Sequence, residues 1–405
     1  MTIRLYYLDA WQKEFDGTVT QIKAEEGCHW LALHQTAFYP EGGGQPCDRG
    51  SLAFPGGLME VVSVQVDADQ VIWHQVKPES SGKLPAVGQT VHGIIDWERR
   101  FDHMQQHTGE HIIANCLYEQ TGGFTHGLHI GKESSSIDVT LPDGSMKLDD
   151  GVLAAIEEMA NRRIAQDGNI TCSFPDELEL ASLPLRKDPT VTEQVRICAI
   201  GSYEMVACGG THLSRTSQVN LVKLLYVQPA RGKMRLFFLC GLRAIRHYAL
   251  CYASLSQAAE ALSAREEEVP SRLSEVMKQA GETRRELAAL RRQNTLAKAP
   301  QLLEDALVLH DGRRIIMAML DVFDLPAMEA LASLLTREPR LIALLCVLKD
   351  GLHHLLFARS SDLDMDMAEF IRACGAKGGG RPEFARGAAR DSLPWEAAKV
   401  MAPHF

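Results

Sequence analysis

The chain has 405 residues, 45% of them hydrophobic, and a formal net charge of −10. This length corresponds to roughly two to four domains with full hydrophobic cores, and the acidic balance argues against a protein that coats nucleic acid non-specifically. The longest apolar run, "LIALLCVL" at 341–348, is too short to span a bilayer. Ten cysteines without framework spacing are typical of reduced thiols. The first residues lack the order of a secretory signal, so we expect a cytoplasmic protein.

Residues 1–95 are predicted to form a small β-barrel domain. Short runs such as "HWLALHQTAFYP", "MEVVSVQV" and "QVIWHQV" are rich in Val, Ile, Trp and Tyr, and Gly/Pro/Asp turns separate them. A barrel is the closure that removes the edges of such a sheet.

Residues 96–245 are predicted to form an α+β domain. The segment "WERRFDHMQQHTGEHIIANCLYEQTGG" has apolar residues at helical spacing and ends in Gly122-Gly123, which indicates a helix stop. Strand-like runs follow, "SSSIDVTL", "VRICAIG" and "NLVKLLYVQ", and the first is separated from the others by a helical segment, "DDGVLAAIEEMANRRIAQDG".

Residues 246–300 are predicted to form a helical hairpin, and residues 301–405 a small α/β domain. Pro270 is expected to begin the second helix of the hairpin. Leu273, Ala280 and Leu287 fall seven apart, which is the spacing of a short coiled coil, although a plain packed helix pair is an alternative. In the last hundred residues, "RIIMAML", "LIALLCVL" and "HHLLFAR" alternate with helical segments.

Two pairs of metal-type ligands share a four-residue spacing. His107 and His111 lie four apart on the predicted helix, and positions i and i+4 lie on one helix face. Cys208 and His212 flank two glycines in "CGGTH", a sequence that can fold tightly enough for a thiolate and an imidazole to converge. One Cys with three His is a donor set suited to Zn²⁺, and we predict one ion per chain.

The ligand count leaves the role of the ion open. A closed shell of four protein ligands is typical of a structural zinc, whereas a catalytic zinc keeps a position open for water or substrate. His103, on the same helix stripe, is either a fifth ligand or a side chain that orients a ligand. The zinc-peptidase motif His-Glu-x-x-His is not matched, because Glu110 stands directly before the second histidine.

Two basic stretches stand out in this acidic chain. The segment 231–248, "RGKMRLFFLCGLRAIRHY", has five Arg or Lys residues and no acid, and the segment 371–390, "IRACGAKGGGRPEFARGAAR", has five against Glu383 alone. Either stretch is also explained as ordinary solvated surface charge. The glycines of the second stretch do not form a nucleotide P-loop, because Gly-x-x-x-x-Gly-Lys-Ser/Thr is missing, so we expect no use of ATP.

Several of these segments together resemble the free-standing alanyl-tRNA editing proteins, which are related to the editing domain of alanyl-tRNA synthetase. The segments are "TAFYPEGGGQPCDRG", "DWERRFDHMQQHTGEHII", "GLHIGKESSSIDV", "ACGGTHLSRTSQV" and "GKMRLFFLCGLRAIRHY". Near the end, "GAKGGGRPEFARGAA" resembles the glycine-rich signature of the DHH-associated domain that closes the synthetase. The likeness is to the long form of the editing proteins, because 405 residues leave no room for an aminoacylation core.

The resemblance implies hydrolysis of the ester that joins a wrong amino acid, chiefly serine and also glycine, to tRNA for alanine. It implies that His107, His111, Cys208 and His212 bind zinc. A synthetase pocket cannot cleanly exclude serine, which adds one hydroxyl to alanine, so a second site must remove the mistake.

Four side chains near these motifs are candidates for the chemistry. Thr36 and Gln45 flank the glycines 42–44 and are predicted to read the serine hydroxyl, and those glycines would let backbone approach the aminoacyl end. Glu110 and Asp138 are carboxylates expected near the metal, either of which is a candidate general base. Whether the ion activates water or only positions the ester is left open.

Cations are expected to hold the tRNA backbone, since phosphate contacts dominate the affinity for nucleic acid. We predict phosphate contacts from six residues: Arg231, Lys233, Arg243, Lys377, Arg381 and Arg386. The C-terminal domain is expected to grip tRNA and to form a homodimer. Two other functions fit the same motifs: a tRNA-binding factor without catalysis, and a zinc hydrolase of a non-RNA ester.

Overall fold

The computed structural model of the chain describes residues 2–25, 27–78, 83–189, 194–321 and 324–404. The contacts divide the chain into two units, Met1–Ser254 and Leu255–Phe405. The first unit holds the predicted barrel and the predicted metal ligands, and the second holds the glycine-rich basic stretch. The finer division into four domains stays a prediction.

Six strands between Glu14 and Ile95 form a closed barrel. Its six strands follow one another in the order β2-β3-β7-β6-β5-β8, and a short parallel pair, β1-β4, accompanies them. In β2 the buried side chains of Phe15 and Val19 alternate with exposed ones, as a strand with one face on a core requires. The elements are β1 Ile3–Arg4, α1 Leu5–Leu8, β2 Glu14–Glu25, β3 Cys28–Leu33, β4 Gln35–Thr36, β5 Gly50–Phe54, β6 Gly57–Val66, β7 Ile72–Pro78 and β8 Thr90–Ile95. The predicted barrel is confirmed.

One long helix, α2, runs through the core of the rest of this unit. The Asp96 carboxylate caps its first turn by accepting the N–H of Arg99, and Gly122 ends it in the left-handed conformation with φ 67°. At Gly109 a Cβ would lie 2.2 Å from the Cys240 Sγ, so only glycine lets α2 pack so closely against the segment that carries Cys240. Sixteen of the 25 residues of α2 are buried, which explains its weak amphipathic pattern.

Two sheets and further helices surround α2. The sheets have the strand orders β14-β15-β10-β9 and β11-β12-β13. A 3-10 turn occupies Thr216–Val219. The elements are α2 Trp97–Thr121, β9 Phe124–Ile130, β10 Ser135–Thr140, α3 Asp150–Ala165, β11 Ile170–Ser173, α4 Glu177–Ser182, β12 Ile197–Ile200, β13 Glu204–Ala207, β14 Val222–Ala230, β15 Lys233–Cys240 and α5 Leu242–Leu262. The mixed α+β class is confirmed.

An ion pair fixes α2 to the barrel. The Arg100 guanidinium and the Asp48 carboxylate are both fully buried. Arg100 Nε lies 3.0 Å from each carboxylate oxygen, and Nη2 also bonds Asp48. The remaining donors reach the carbonyl oxygens of Ala10 at 2.9 Å and Ala37 at 2.6 Å. The first turn of α2 is therefore held to three different segments of the chain.

The second unit is built on a six-stranded sheet of order β16-β17-β18-β19-β21-β20. Strands β17 and β18 are parallel and the other neighbours are antiparallel. A 3-10 turn at Glu266–Glu268 precedes its helices. The elements are α6 Val269–Ala297, α7 Ala299–Glu304, β16 Leu307–Val308, β17 Arg314–Leu320, α8 Leu325–Leu335, β18 Leu341–Lys349, β19 Leu352–Arg359, α9 Met367–Ala373, β20 Lys377–Arg381, β21 Phe384–Ala389 and α10 Leu393–Met401.

Helix α6 carries the heptad pattern noted in the sequence. It begins at Val269 with Pro270 in its first turn, as the sequence predicts. Leu273 and Leu287 of the predicted seam are 48% and 46% exposed, so this seam is not buried within the single chain. Among the described residues, we find no helix long and apolar enough to cross a membrane.

Candidate metal centre and adjoining cleft

The four predicted metal ligands come together in the first unit. His107 and His111 lie on successive turns of α2, and Cys208 and His212 lie on the loop after β13. One donor atom from each residue lies within 4.8 Å of the other three donor atoms. The Cys208 Sγ is 3.3 Å from the His107 Nε2 and 3.2 Å from the His212 Nε2. This cluster can hold a metal ion.

The donor set fits a tetrahedral cation. With Zn–S of about 2.3 Å and Zn–N of about 2.0–2.1 Å, sulfur and nitrogen ligands lie about 3.5 Å apart, close to the spacings seen here. Neither ring nitrogen of His111, both of them buried, forms a hydrogen bond, although the Glu110 carboxylate lies 3.2 Å from the Nδ1. Since buried polar atoms are normally bonded, an ion at this cluster would give His111 the partner that the protein does not supply.

Burial also sets the protonation of the ligands. It lowers the pKa of His107 to about 3 and holds the pKa values of His111 and His212 well below the ordinary range. The three imidazoles are therefore neutral and have lone pairs to donate. Burial raises the pKa of the Cys208 thiol to about 12, so this thiol stays protonated until a cation displaces its proton.

The loop that carries Cys208 and His212 is held tightly. Arg196 Nη1 donates to the carbonyl oxygens of Cys208 and Gly210 at 3.0 and 2.8 Å. A Cβ on Gly210 would lie 2.1 Å from the Cε1 of His107. The second glycine of "CGGTH" is thus required by the close packing of the loop against the histidine ring.

Gln45 lies behind His107 and not against the cleft. Its Oε1 is 2.8 Å from the His107 Nδ1 and also accepts the Thr211 N–H at 3.2 Å. Its Nε2 donates to the Thr211 Oγ1 at 2.8 Å. Gln45 is fully buried. Its predicted contact with substrate stays a prediction, and the structure gives it other partners.

His103 lies one turn before His107 and does not belong to the converging group. Its side chain is buried, its Nδ1 has no hydrogen-bond partner, and burial lowers its pKa to about 3. Of the two roles left open for it, the position outside the cluster argues against a fifth ligand.

A cleft of about 540 Å³ opens beside the cluster. His107, His111 and Cys208 lie in its wall, together with the glycine turn at Gly42 and Gly43. The cleft also has an aromatic and basic lining: Arg4, Tyr6, Tyr7, Tyr39, Arg186 and Lys187. A ligand in this cleft would therefore contact the candidate metal centre and the glycine turn together.

Of the two candidate carboxylates, Glu110 lies in the cleft wall and Asp138 does not. Burial raises the pKa of Glu110 to about 7, and its carboxylate is 3.2 Å from the His111 Nδ1. Asp138 pairs with Arg235, whose Nε donates at 2.7 Å, and this hydrogen bond lowers the pKa of Asp138. Glu110 thus lines the cleft beside His111, whereas Asp138 is held in an ion pair.

Thr36 lies inside the barrel. Its hydroxyl is 2.8 Å from the His74 Nε2, and its oxygen accepts the Phe38 N–H at 3.1 Å. The His74 Nδ1 lies 3.0 Å from the Leu31 carbonyl oxygen, so Nδ1 carries the ring proton and Thr36 donates to Nε2. Thr36 has no exposed surface, and its predicted contact with the serine hydroxyl stays a prediction.

Sequence reasoning missed one ion pair at the cleft. Arg186 Nε donates to both carboxylate oxygens of Glu204 at 3.0 and 3.1 Å, and the two side chains are 8% and 0% exposed. Arg186 is close enough to Glu110 to oppose the rise in its pKa. Neither residue stands in a periodic segment, and the basic pair Arg186-Lys187 was the one signal that could have drawn attention to it.

The predicted tRNA-binding cations of the first unit have different environments. Arg231 is exposed at the turn between β14 and β15 with φ 46°, and Lys233 is half-buried. Arg243 donates to Asp102 at 2.5 and 2.7 Å and to the Gly131 carbonyl at 2.7 Å. The Arg243 guanidinium is therefore held within the protein, and its predicted RNA contact gains no support.

The three predicted cations of the second unit lie on one hairpin, β20-β21. Lys377 and Arg381 are exposed on β20. Arg386 lies on β21 and forms an ion pair with Glu329 at 2.8 Å, with the two side chains 54% and 39% exposed. Exposed pairs of this kind contribute little to stability, so these cations remain available to a polyanion.

The first unit matches two family models. The model described as tRNA synthetases class II (A) matches residues 10–99. The model described as threonyl and alanyl tRNA synthetase second additional domain matches residues 195–236. The alanyl-tRNA editing protein AlaX-M of Methanosarcina mazei is 34% identical over 59% of this chain and 96% of its own length. The chain belongs to the family of alanyl-tRNA editing proteins.

Longer relatives extend this likeness over nearly the whole chain. The alanyl-tRNA editing protein AlaX-L of Pyrococcus horikoshii is 29% identical over 96% of this chain and 94% of its own length. Alanine–tRNA ligase of Pyrococcus furiosus is 31% identical over 96% of this chain. The chain spans 42% of the length of that ligase. The predicted family, in its long form, is confirmed.

Proposed function

We propose that the protein hydrolyses the ester that joins a wrongly attached amino acid, chiefly serine and also glycine, to tRNA for alanine in the cytoplasm. The observation that carries the proposal is that the four-ligand cluster, the buried Glu110 carboxylate and the glycine turn meet at one cleft. The relatives named as alanyl-tRNA editing proteins support the substrate class.

We assign zinc to the cluster because one thiolate and three imidazoles at tetrahedral spacing are ligands that zinc prefers. His107, His111, Cys208 and His212 would hold it. When bound, the ion supplies Lewis acidity, either to the ester carbonyl or to a water. Among the described residues, the cluster has four protein ligands and no fifth. Three of the four line the cleft, so a substrate would approach the ion from the cleft.

Glu110 is the group to which we assign proton transfer. A general base must reach the proton that it takes, and the buried Glu110 carboxylate lines the cleft 3.2 Å from the His111 Nδ1. Burial raises the pKa of Glu110, and a cation at the cluster would lower it again. Its carboxylate would take a proton from the attacking water and return it to the ribose oxygen that leaves. The turn at 42–44 lets backbone lie against the aminoacyl group, since no Cβ projects from it.

Discrimination against alanine requires a contact that only the serine hydroxyl makes. A buried polar group left without a partner costs about 1–3 kcal/mol, so one lost hydrogen bond would favour seryl over alanyl ester by roughly one to two orders of magnitude. Thr36 stays our candidate for this contact. The Thr36 hydroxyl would have to break its hydrogen bond to His74 and form one to the substrate.

The first experiment tests hydrolysis. Seryl- and alanyl-tRNA for alanine are incubated with the full chain, with chelator and with added zinc. We expect seryl ester to be cleaved much faster, with loss of activity in chelator and recovery with zinc. Binding of tRNA without cleavage would instead indicate a catalytically inactive tRNA-binding factor, and equal cleavage of a simple non-RNA ester would indicate a general zinc hydrolase.

A matched pair of variants tests the metal centre. Cys208→Ala/His212→Ala removes half the cluster and should lose the expected single zinc per chain. His247→Ala/Cys251→Ala removes another histidine and cysteine four apart on α5, a half-buried imidazole and an exposed thiol 3.6 Å from each other. This variant should keep the zinc. Unchanged zinc content in the first variant, by elemental analysis, would remove the assignment.

We assign tRNA binding to the cations predicted from the sequence, chiefly Lys377, Arg381 and Arg386, and a homodimer to the C-terminal domain. Arg243, which is paired with Asp102, is the least available of the six. Arg381→Ala/Arg386→Ala should weaken tRNA binding and lower the slope of log affinity against log salt by roughly one to two. Arg284→Ala/Arg285→Ala removes two exposed arginines of α6 in the same unit and serves as the control. Equal slopes in all three proteins would show that Arg381 and Arg386 do not bind RNA.

A further inference from the structure

The glycine stretch at 42–45 forms a tight turn that is packed in place. Gly42 and Gln45 exchange backbone hydrogen bonds of 3.1 and 3.0 Å, and Gly43 and Gly44 between them have φ of 58° and 81°. Positive φ at both central positions is the signature of a type I′ turn. The Gly44 carbonyl accepts the Ile130 N–H at 3.1 Å, and a Cβ on Gly44 would lie 1.7 Å from the Leu128 oxygen. The turn is therefore fixed against β9.

The Gln45 side chain joins this turn to the candidate metal centre. Its Oε1 accepts from the ring of His107 and from the Thr211 backbone, and its Nε2 donates to the Thr211 hydroxyl. One amide thus contacts the helix that carries two ligands and the loop that carries the other two. Both acceptor positions of its oxygen are occupied, and Gln45 has no exposed surface.

This contact selects one tautomer of His107. Since the oxygen of Gln45 is only an acceptor, the Nδ1 of His107 must carry the proton that it receives. The lone pair then lies on Nε2, which is the nitrogen 3.3 Å from the Cys208 Sγ. Partners of this kind commonly orient metal-binding histidines, and their loss typically weakens metal binding by about 10–100-fold.

We propose that Gln45 is a positioning residue that couples metal binding to the order of the glycine turn in the cleft wall. The inference rests on the metal centre of the proposed function and does not need the hydrolysis. A cation at Nε2 makes the Nδ1–H of His107 a stronger donor to Gln45, so binding of the ion tightens the turn. Coupling between two sites is reciprocal, so a well-formed turn also raises the affinity for the ion.

The test uses three variants of the full chain. Gln45→Leu removes the acceptor, and Gln45→Glu keeps an oxygen in the same place as a rescue. Gln105→Leu is the matched control, because Gln105 is a buried glutamine of α2 whose amide donates to the Gln218 carbonyl at 2.9 Å. Zinc affinity is measured by competition with a chromophoric chelator, and backbone hydrogen exchange of residues 40–47 is measured with and without zinc.

We expect Gln45→Leu to bind zinc about 10–100-fold more weakly than the parent, with residues 40–47 no longer protected by added zinc. Gln45→Glu and Gln105→Leu should bind zinc within a few-fold of the parent and keep that protection. The coupling would be overturned if Gln45→Leu bound zinc with the affinity of the parent. It would also be overturned if zinc did not change the hydrogen-exchange protection of residues 40–47 in the parent.

A further measurement separates positioning from substrate reading. With zinc in excess, the ratio of seryl to alanyl cleavage in Gln45→Leu should equal that of the parent, and a collapsed ratio would overturn the positioning role. If the parent binds zinc with the predicted coupling but cleaves neither ester, the proposed function fails while this inference stands. If the parent cleaves the ester but the Gln45 variants do not change the zinc affinity, this inference fails while the proposed function stands.

Discussion

The buried ion pair between Arg100 and Asp48 should dominate the stability of the first unit. Replacing Arg100 by Met keeps much of the side-chain volume but leaves the Asp48 carboxylate in the core with one backbone partner, the Tyr39 N–H at 2.5 Å. It also removes the donors to the Ala10 and Ala37 carbonyls. Breaking a buried pair from one side typically costs about 3–5 kcal/mol, and we expect Arg100→Met to fall in this range.

Two comparison variants separate lost charge from lost packing. Arg99→Met removes a half-buried neighbour whose side chain donates one hydrogen bond, 3.0 Å to the Cys47 carbonyl. This change should lower the free energy of unfolding by about 1 kcal/mol or less. Asp48→Asn/Arg100→Met removes the unpaired charge, so it should be clearly more stable than Arg100→Met alone.

The assay is urea unfolding followed by tryptophan fluorescence, which reports on this unit through Trp11 and Trp97, whose ring centroids are 5.5 Å apart. Midpoint and slope are both recorded, because a changed slope would signal a change in the unfolded or native state. If Arg100→Met lies within 1 kcal/mol of the parent, the ion pair does not anchor α2, and the positions of His107 and His111 must be fixed by the other contacts of this helix.

Two further predictions concern the centre and the barrel. Gly210→Ala should abolish tight zinc binding while leaving the secondary structure measured by circular dichroism unchanged, since its Cβ would lie 2.1 Å from the His107 ring; parental zinc affinity would show that the loop yields easily. Burial lowers the pKa of His74 from the ordinary 6.5 to about 4, so its neutral form stabilises the fold above pH 6.5 and about 3 kcal/mol is lost as the pH falls to 4. His74→Gln should flatten the fall in unfolding free energy between pH 6.5 and 4, and an equally steep fall in that variant would contradict the assignment to His74.

The metal ligands could be predicted because their spacing is local. Two histidines four apart on a helix share a face whatever surrounds them, and the two glycines of "CGGTH" indicate a tight loop without reference to the rest of the chain. That the helix and the loop meet, a hundred residues apart in sequence, follows from tertiary packing. The prediction that they meet came from the matching donor chemistry of the two pairs and from the family resemblance. The barrel could be predicted from short runs rich in Val, Ile, Trp and Tyr that Gly/Pro/Asp turns separate.

The direction of individual side chains could not be predicted in the same way. Thr36 and Gln45 flank the glycine turn in sequence, yet Thr36 is bonded to His74 and Gln45 lies behind His107. The Arg186–Glu204 pair was missed because it joins segments without a periodic pattern. A solvated surface and an RNA-binding hairpin have the same composition, so the role of the terminal cations also needed more than the sequence.

The β20-β21 hairpin at the edge of the second sheet can promote self-association. Strand β20 is an outer strand of that sheet and all five of its residues are exposed, and such an edge can pair with the edge of another molecule. A Cβ on Gly378 or Gly380 would lie 2.0 or 2.1 Å from carbonyl oxygens of β21, so bulky residues cannot shield the strand from within. Lys377 and Arg381, at its two ends, are left to repel a second copy. Variants that remove these charges should therefore be checked for aggregation by light scattering, because aggregated protein would give a false loss of affinity for RNA.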